Sequence, residues 1–201
     1  MFRYGHRLSK DIDIFAPNPQ YLGYVTPRLV RAQGVAPREI VLAGDSAGGN
    51  LALALLHRLR EFGEPMPACT VALSPFVDFT RSGPSLVLNE RRDPMFTVAA
   101  LVGLRRLYLA PQQMLLPTAS PLFGRFEGWP PLPLQASDSE LLRDDAVRLA
   151  EQARTEGVEV ELQLWAGRPH VFQAMPFLPQ SGHAIDRIAL FVDRHQSPQP
   201  A

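Results

Sequence analysis

The sequence contains a single cysteine and a single lysine. Cys69 has no second cysteine to pair with, so an internal disulfide is excluded. Lys10 is the only lysine among the 20 basic residues, and the 20 acidic residues balance them to a formal net charge of zero. Because no block of positive charge exists, the composition argues against a nucleic-acid partner.

Long apolar runs are also missing. No segment reaches the ~18 apolar residues of a membrane-spanning helix, and residues 1–6 lack the apolar region of a secretory signal. We therefore expect a cytoplasmic protein with no membrane partner. Apolar residues still form 46% of the 201-residue chain, which is enough for one domain with a hydrophobic core.

Strand and helix patterns alternate along the chain. Strands are predicted over residues 40–44, 68–73, 132–136 and 158–165. Helices are predicted over residues 20–34, from residue 46 onward, and over 97–109, 140–156 and 184–195. Residues 80–95 and 111–131 are expected to be irregular. This order predicts an α/β fold with a mostly parallel sheet and helices on both faces.

A nucleophile motif stands between the first predicted strand and its helix. The pattern G-x-S-x-G places a serine on a sharp turn, with its hydroxyl presented at the carboxyl end of the strand. Small residues on either side let strand and helix approach each other. The sequence here is Gly44-Asp45-Ser46-Ala47-Gly48. The backbone N–H of Ala47 is then a candidate oxyanion donor, aided by the helix dipole.

Two other interpretations fit the same glycines. A phosphate-binding loop would require a lysine after them, where Asn50 and Leu51 stand instead. A glycine-rich turn without chemistry would need no partner residues. A catalytic serine needs a histidine as base and a carboxylate that orients it, so the partners of Ser46 decide between these interpretations.

His170 is the best candidate base among the five histidines. It follows the predicted strand 158–165 in a loop, where the chain order serine, acid, histidine places the base. His57 lies about three turns along the helix from Ser46, which is too far. His183 and His195 belong to the last helix or its flank, and His6 lies in a segment without assignment.

The acid should follow the predicted strand 132–136, where several carboxylates stand close together. They are Asp138, Glu140, Asp144 and Asp145. Acidic residues in a first helical turn often only complement the helix dipole, and Asp138 would also suit a helix N-cap. The residue pattern alone leaves the choice of acid open.

Five short motifs together resemble one known group of enzymes. The segment from about Val35 to Val192 is similar to the hormone-sensitive-lipase group of α/β-hydrolases, also called bacterial family IV esterases. The motifs are Gly44 to Asn50, Leu73-Ser74-Pro75, Arg92-Asp93-Pro94, Ala119-Ser120-Pro121-Leu122 and Pro169-His170-Val171-Phe172.

The resemblance implies a catalytic triad. In that group the acid begins an Asp-Pro-Leu-Arg-Asp-Glu-like stretch about thirty residues before the histidine. Residues 140–145 read Glu-Leu-Leu-Arg-Asp-Asp, so Glu140 occupies the acid position and Leu141 replaces the usual proline. The triad is then Ser46, Glu140 and His170, with Asp138 as second choice for the acid.

One motif of the group is missing. An upstream His-Gly-Gly-Gly supplies further oxyanion donors in related enzymes, and none occurs in the 45 residues before Ser46. We therefore expect a truncated α/β-hydrolase without the first strands and most of the cap. Residues 1–19 have no assignment, residues 20–195 form the partial domain with a helical excursion at about 80–125, and residues 196–201 are a tail.

Two functions follow as hypotheses. The first is a serine carboxylic-ester hydrolase that uses no cofactor or metal and acts on short-chain acyl esters or lactones, with a thioesterase or acyltransferase as a variant. The second is an impaired hydrolase that acts by association through an exposed sheet edge. The resemblance also implies dimerisation through the edge of the last strand.

Overall fold

The computed structural model describes residues 36–196. Residues 1–19, the helix predicted over residues 20–34 and the tail after residue 196 lie outside this part of the chain. The described residues contain four strands and five α-helices, which alternate much as the sequence pattern predicts.

The four strands form one parallel sheet in the order β1-β2-β3-β4. Asp45 at the end of β1 lies opposite Leu73 at the end of β2, and Ser137 of β3 lies opposite Trp165 of β4. All four carboxyl ends therefore meet at one edge of the sheet. The strands are β1 (Val41–Asp45), β2 (Cys69–Leu73), β3 (Leu132–Ser137) and β4 (Val160–Trp165).

Helices cover the sheet between and after the strands. They are α1 (Ser46–Glu61), α2 (Ser85–Leu88), α3 (Val98–Tyr108), α4 (Arg143–Thr155) and α5 (Pro179–Gln196). Short 3-10 turns occur at Pro37–Glu39, Pro111–Gln113, Pro121–Phe123 and Phe172–Ala174. The segment between β2 and β3 is mostly irregular and contains the two helices α2 and α3.

The main hydrophobic core lies between the sheet and helices α1 and α4. Leu56 of α1, Leu134 of β3 and Leu149 of α4 are all fully buried in it. The next residue of β3, Gln135, points to the opposite face, where its amide donates to the carbonyl oxygen of Ala184 in α5 at 2.9 Å. Because successive strand residues face opposite sides, this pair places α5 on the second face and confirms the predicted α/β architecture.

Two helix boundaries differ from the prediction. Helix α4 begins at Arg143 rather than residue 140, because the Glu140 side chain turns into the protein and its carbonyl accepts a hydrogen bond from Asn89 Nδ2 at 2.9 Å. Helix α5 begins at Pro179 rather than residue 184. Proline suits this first position, since the first N–H groups of a helix have no partner within it.

Helix α3 has a side-chain N-cap directly before its first residue. Thr97 Oγ1 accepts a hydrogen bond from the backbone N–H of Ala100 at 3.2 Å. Residues 80–95 are less irregular than expected, because Ser85–Leu88 forms the short helix α2. No helix between residues 36 and 196 has the length and apolar character needed to cross a membrane.

Candidate active site

The turn between β1 and α1 has the strained geometry of a nucleophile elbow. Ser46 is the residue after the last strand residue and begins the helix, with a φ of 50°. Side chains other than glycine rarely adopt this left-handed conformation, and it costs about 1–3 kcal/mol where it occurs. The turn therefore presents the Ser46 hydroxyl at the carboxyl edge of the sheet, as the motif predicts.

Close backbone approach explains the glycines of the motif. A Cβ atom on Gly44 would lie 2.3 Å from the carbonyl oxygen of Gly48, and one on Gly49 would lie 3.1 Å from Pro75 Cβ. By contrast, a Cβ on Gly48 would meet nothing among residues 36–196 nearer than 3.8 Å. The steric requirement of the elbow therefore falls on Gly44 and Gly49.

Glu140 and His170 form a buried hydrogen-bonded pair. Glu140 Oε2 lies 2.7 Å from His170 Nδ1, and the two side chains are 0% and 3% exposed. The other carboxylate oxygen, Oε1, accepts from the backbone N–H of Ser137 at 2.7 Å and from Ser74 Oγ at 3.0 Å. These donors compensate the burial of a charged carboxylate, which would otherwise be costly.

The contact with Glu140 occupies one of the two imidazole nitrogens of His170. In the tautomer that donates Nδ1–H to the carboxylate, Nε2 is a hydrogen-bond acceptor. Nε2 is buried and has no hydrogen-bond partner within residues 36–196. The edge of the Phe96 ring packs on the imidazole, with 4.9 Å between ring centroids. The arrangement leaves a basic nitrogen available for a proton.

The segment after β2 links the elbow to this pair. The N–H of Phe76 donates to the Ser46 carbonyl oxygen at 3.2 Å. Two residues earlier, Ser74 Oγ donates to Glu140 and accepts a hydrogen bond from the N–H of Val171, the residue after His170, at 3.4 Å. The fold thus brings all three predicted triad residues to one edge of the sheet. The Ser46 hydroxyl itself makes no hydrogen bond to His170 Nε2.

Asp138, the second choice for the acid, has different partners. Its Oδ1 accepts from the backbone N–H of Gly167 at 2.8 Å and lies 3.6 Å from Arg92 Nη2. The side chain is 41% exposed. Asp138 therefore helps to hold the loop before His170, and Glu140 is the carboxylate in contact with the imidazole.

Asn89 and Asp93 hold the turn that carries Glu140 through hydrogen bonds. Asn89 Nδ2 donates to the carbonyl oxygens of Asp138 and Glu140, each at 2.9 Å. Asp93 Oδ2 accepts from the N–H of Leu141 at 2.8 Å. Sequence reasoning noted the motif Arg92-Asp93-Pro94 without a role for it and missed Asn89, because no local pattern links these residues to a turn almost fifty positions later.

The buried carboxylates of Asp78 and Asp145 attach the loop after β2 to α4. Asp145 accepts hydrogen bonds from the N–H groups of Val77 and Asp78, at 2.8 and 2.9 Å. Burial raises the pKa of Asp145 well above its usual range, and the charge of Asp78 raises it further. Burial also acts to raise the pKa of Asp78, but hydrogen bonds from Ser82, Thr80 and Arg148 outweigh it and lower the value. Acidic residues in the first turn of α4 thus position a loop rather than react.

His57, rejected as the base, lies in the core. Its Nε2 is 2.9 Å from the carbonyl oxygen of Pro121, and its ring packs on Trp129 with 4.6 Å between centroids. Burial lowers the pKa of His57 to about 4, and the nearby charge of Arg60 contributes to the lowering, while the contact with Pro121 and the charge of Glu156 oppose it. His57 is therefore neutral and structural at neutral pH.

Acid should destabilise the protein through His57. The pKa of His57 is lower in the folded protein than in the unfolded chain. Its contribution to the free energy of unfolding is therefore complete above pH 6.5 and is lost as the pH falls towards 4. At pH 5 the loss from this residue should be about 2 kcal/mol. Urea unfolding at pH 7 and pH 5 should show a larger loss for the wild type than for His57→Gln. Equal losses would contradict the assignment.

A cavity lies among the segments that carry Glu140 and His170, although neither of these residues nor Ser46 lines it. This cavity of about 570 Å³ is lined by Arg92, Pro94 and Met95, by Ser139, and by residues 167–169. Its walls therefore include the residues that directly precede Glu140, His170 and Phe96. Its volume lies within the range of small-molecule sites. Among residues 36–196, no group of three or more histidine, cysteine or acidic side chains is arranged to hold a metal ion.

Comparison with known proteins identifies a family for this chain. Residues 20–174 match the family described as alpha/beta hydrolase fold. An "Esterase" of Acinetobacter venetianus is 36% identical over 161 residues, and an "Acetyl-hydrolase" of Streptomyces hygroscopicus is 37% identical over 166 residues. The matches cover 79% and 82% of this chain, and 53% and 56% of those proteins.

Solved structures give the same result. The crystal structure of an esterase from the bacterial hormone-sensitive lipase family has a TM-score of 0.82 and 40% identity, over 85% of this chain and 58% of that one. The homologue EstE7 has a TM-score of 0.84 and 33% identity, over 89% and 62%. The chain therefore belongs to the α/β-hydrolases, in their hormone-sensitive-lipase group, which confirms the resemblance. It spans a little over half the length of these relatives.

Proposed function

We propose that the protein is a serine carboxylic-ester hydrolase with Ser46 as nucleophile, His170 as general base and Glu140 as the orienting acid. The observation that carries the proposal is the buried contact of 2.7 Å between Glu140 Oε2 and His170 Nδ1, at the edge of the sheet where the strained elbow presents Ser46. A structural turn would need neither the buried carboxylate–imidazole hydrogen bond nor the unpartnered Nε2.

The hydrogen-bonding groups of the site can carry out the proton transfers that acyl transfer requires. His170 Nε2 takes the Ser46 proton as Oγ attacks the acyl carbon, and the imidazolium that forms is stabilised by Glu140. The same proton then goes to the leaving alcohol, which breaks the ester bond and leaves an acyl group on Ser46. Water, activated by His170 in the same way, releases the acid. Apo sites of this kind are often loose before substrate binds, so a missing Ser46–His170 hydrogen bond is compatible with the mechanism.

Ala47 supplies the oxyanion donor of this part of the chain. Its N–H follows the nucleophile in the first turn of α1, where the N–H groups of a helix lack internal partners and the dipole favours negative charge. One such donor contributes about 10²–10³-fold to the rate. The donors that the resemblance assigns to an upstream His-Gly-Gly-Gly have no counterpart in this sequence.

The names of the relatives support a proposal for the substrate class. The matched proteins carry the names esterase and acetyl-hydrolase, and crystals of EstE5, a further structural relative, were soaked with p-nitrophenyl butyrate. We infer that short-chain acyl esters are the substrates here.

Ser46→Ala should lower the hydrolysis of p-nitrophenyl acetate by at least about 10³-fold, because it removes the nucleophile. A fluorophosphonate probe should label the wild type at Ser46, as read by peptide mass, and leave the variant unlabelled. Ser181→Ala is the matched control, since that hydroxyl is buried and bonds only the Phe172 carbonyl oxygen among the described contacts.

These measurements distinguish an active ester hydrolase from an impaired hydrolase. Equal hydrolysis rates for the wild type and Ser46→Ala would contradict the proposal. Labelling at Ser46 without turnover would instead support an impaired hydrolase, since the nucleophile would be activated while later steps fail.

A further inference from the structure

We propose that Ser74 is a positioning residue of this site, whose hydroxyl holds one oxygen of Glu140 so that the other reaches His170. The inference rests on the proposed function, since it assigns Ser74 a task in orienting the imidazole. Neither the chain's membership of its family nor the triad itself assigns this residue a role.

Ser74 contacts the acid Glu140, the residue after His170 and strand β3. Its Oγ donates to Glu140 Oε1 at 3.0 Å and accepts from the N–H of Val171 at 3.4 Å. Its own N–H donates to the carbonyl oxygen of Gln135 at 2.6 Å, which ties the residue to β3. The side chain is fully buried. The single hydroxyl proton is therefore committed to the carboxylate.

The backbone of Ser74 makes serine an unfavourable choice unless the hydroxyl matters. Its φ is 44°, in the left-handed region that glycine and asparagine occupy most readily. Val171, joined to it by a hydrogen bond, has a φ of 51°. A residue needed only to turn the chain here would be less strained as glycine. The hydroxyl is the feature that glycine cannot supply.

The length of the Glu140 side chain explains why such a hold is needed. Glutamate has one more rotatable bond than the aspartate usual in this group, and its terminal torsion has a broad, roughly two-fold energy profile. The two donors on Oε1, Ser74 Oγ and Ser137 N, fix that torsion. With only the backbone donor left, the carboxylate can rotate and Oε2 can leave Nδ1.

The test compares Ser74→Ala with Ser74→Gly in the full chain. Both remove the hydroxyl, but only glycine relieves the backbone strain, so the pair separates the hydroxyl from the turn. Ser120→Ala is the matched control, because Ser120 is equally buried and its Oγ accepts only from Phe79 N among the described contacts. One readout is kcat and KM for p-nitrophenyl acetate. The other is the low-field proton NMR resonance of the His170 Nδ1–H bound to Glu140.

We expect both Ser74 variants to lose about tenfold to a hundredfold in kcat with little change in KM, because a misplaced base slows the chemistry and not the binding. The low-field resonance should broaden or move upfield in both and stay in place in Ser120→Ala. An unchanged resonance and kcat in Ser74→Gly would overturn the proposal, as would a wild type without that resonance. The resonance is measured without turnover, so it tests Ser74 even where the proposed hydrolysis fails.

Discussion

Glu140→Gln should lower kcat for short-chain ester hydrolysis by about 10³–10⁴-fold, the size of effect known when a triad carboxylate becomes an amide. The amide can donate a hydrogen bond to Nδ1, which would hold the imidazole with its proton on Nε2. That tautomer cannot accept the Ser46 proton. Steady-state kinetics with p-nitrophenyl acetate measures the effect.

Asp138→Asn is the matched control for this prediction. Asp138 lies two residues away, and its carboxylate bonds Gly167 N and lies near Arg92, at a position 41% exposed. Its replacement should leave kcat close to the wild-type value. The opposite pattern, with Asp138→Asn inactive and Glu140→Gln active, would assign the acid to Asp138 and contradict the contact seen at Glu140.

Gly44→Ala should lower the free energy of unfolding by about 3 kcal/mol or more, at or above the upper range for overpacking a well-packed site. The added methyl would stand 2.3 Å from the Gly48 carbonyl oxygen, which is a backbone atom and cannot rotate away. Strand β1 and helix α1 would have to separate. Urea unfolding followed by circular dichroism measures the loss.

Gly48→Ala is the comparison within the same motif. Its Cβ would lie 3.8 Å from Asp45 Oδ1, with nothing closer among residues 36–196. Alanine is also favoured over glycine in a helix by up to about 1 kcal/mol. Its stability should therefore equal or exceed that of the wild type. A larger loss for Gly48→Ala than for Gly44→Ala would show that the elbow is packed differently.

Local sequence signals predicted the fold and the elbow. Apolar runs predicted the four strands within about two residues. The spacing of Gly44, near the end of β1, and Ser46, directly after it, predicted a strained serine where the structure has it. These features depend on neighbours a few positions apart, which a sequence displays directly. The choice of Glu140 over Asp138 needed the resemblance, because both carboxylates follow β3 in the chain.

Contacts between residues far apart in the chain could not be predicted from the sequence. Ser74 and Glu140 are 66 positions apart, and Asn89 reaches the Glu140 turn across 51 positions. The start of α4 was misplaced for the same reason, since residues 140–142 have helical composition but are held in a turn by partners from the preceding loop. Tertiary contacts of this kind override local propensity.

The left-handed residues Ser46, Ser74 and Val171 follow three strands of one sheet and carry much of the conformational strain of the described chain. Each costs about 1–3 kcal/mol against a net folding stability of only about 5–15 kcal/mol. Selection for heat resistance alone would therefore favour glycine or asparagine at these positions. Variants of Ser46 or Ser74 that melt higher for this reason should be the poorer catalysts, so evolving this scaffold for temperature and for turnover would favour opposite residues at these two positions.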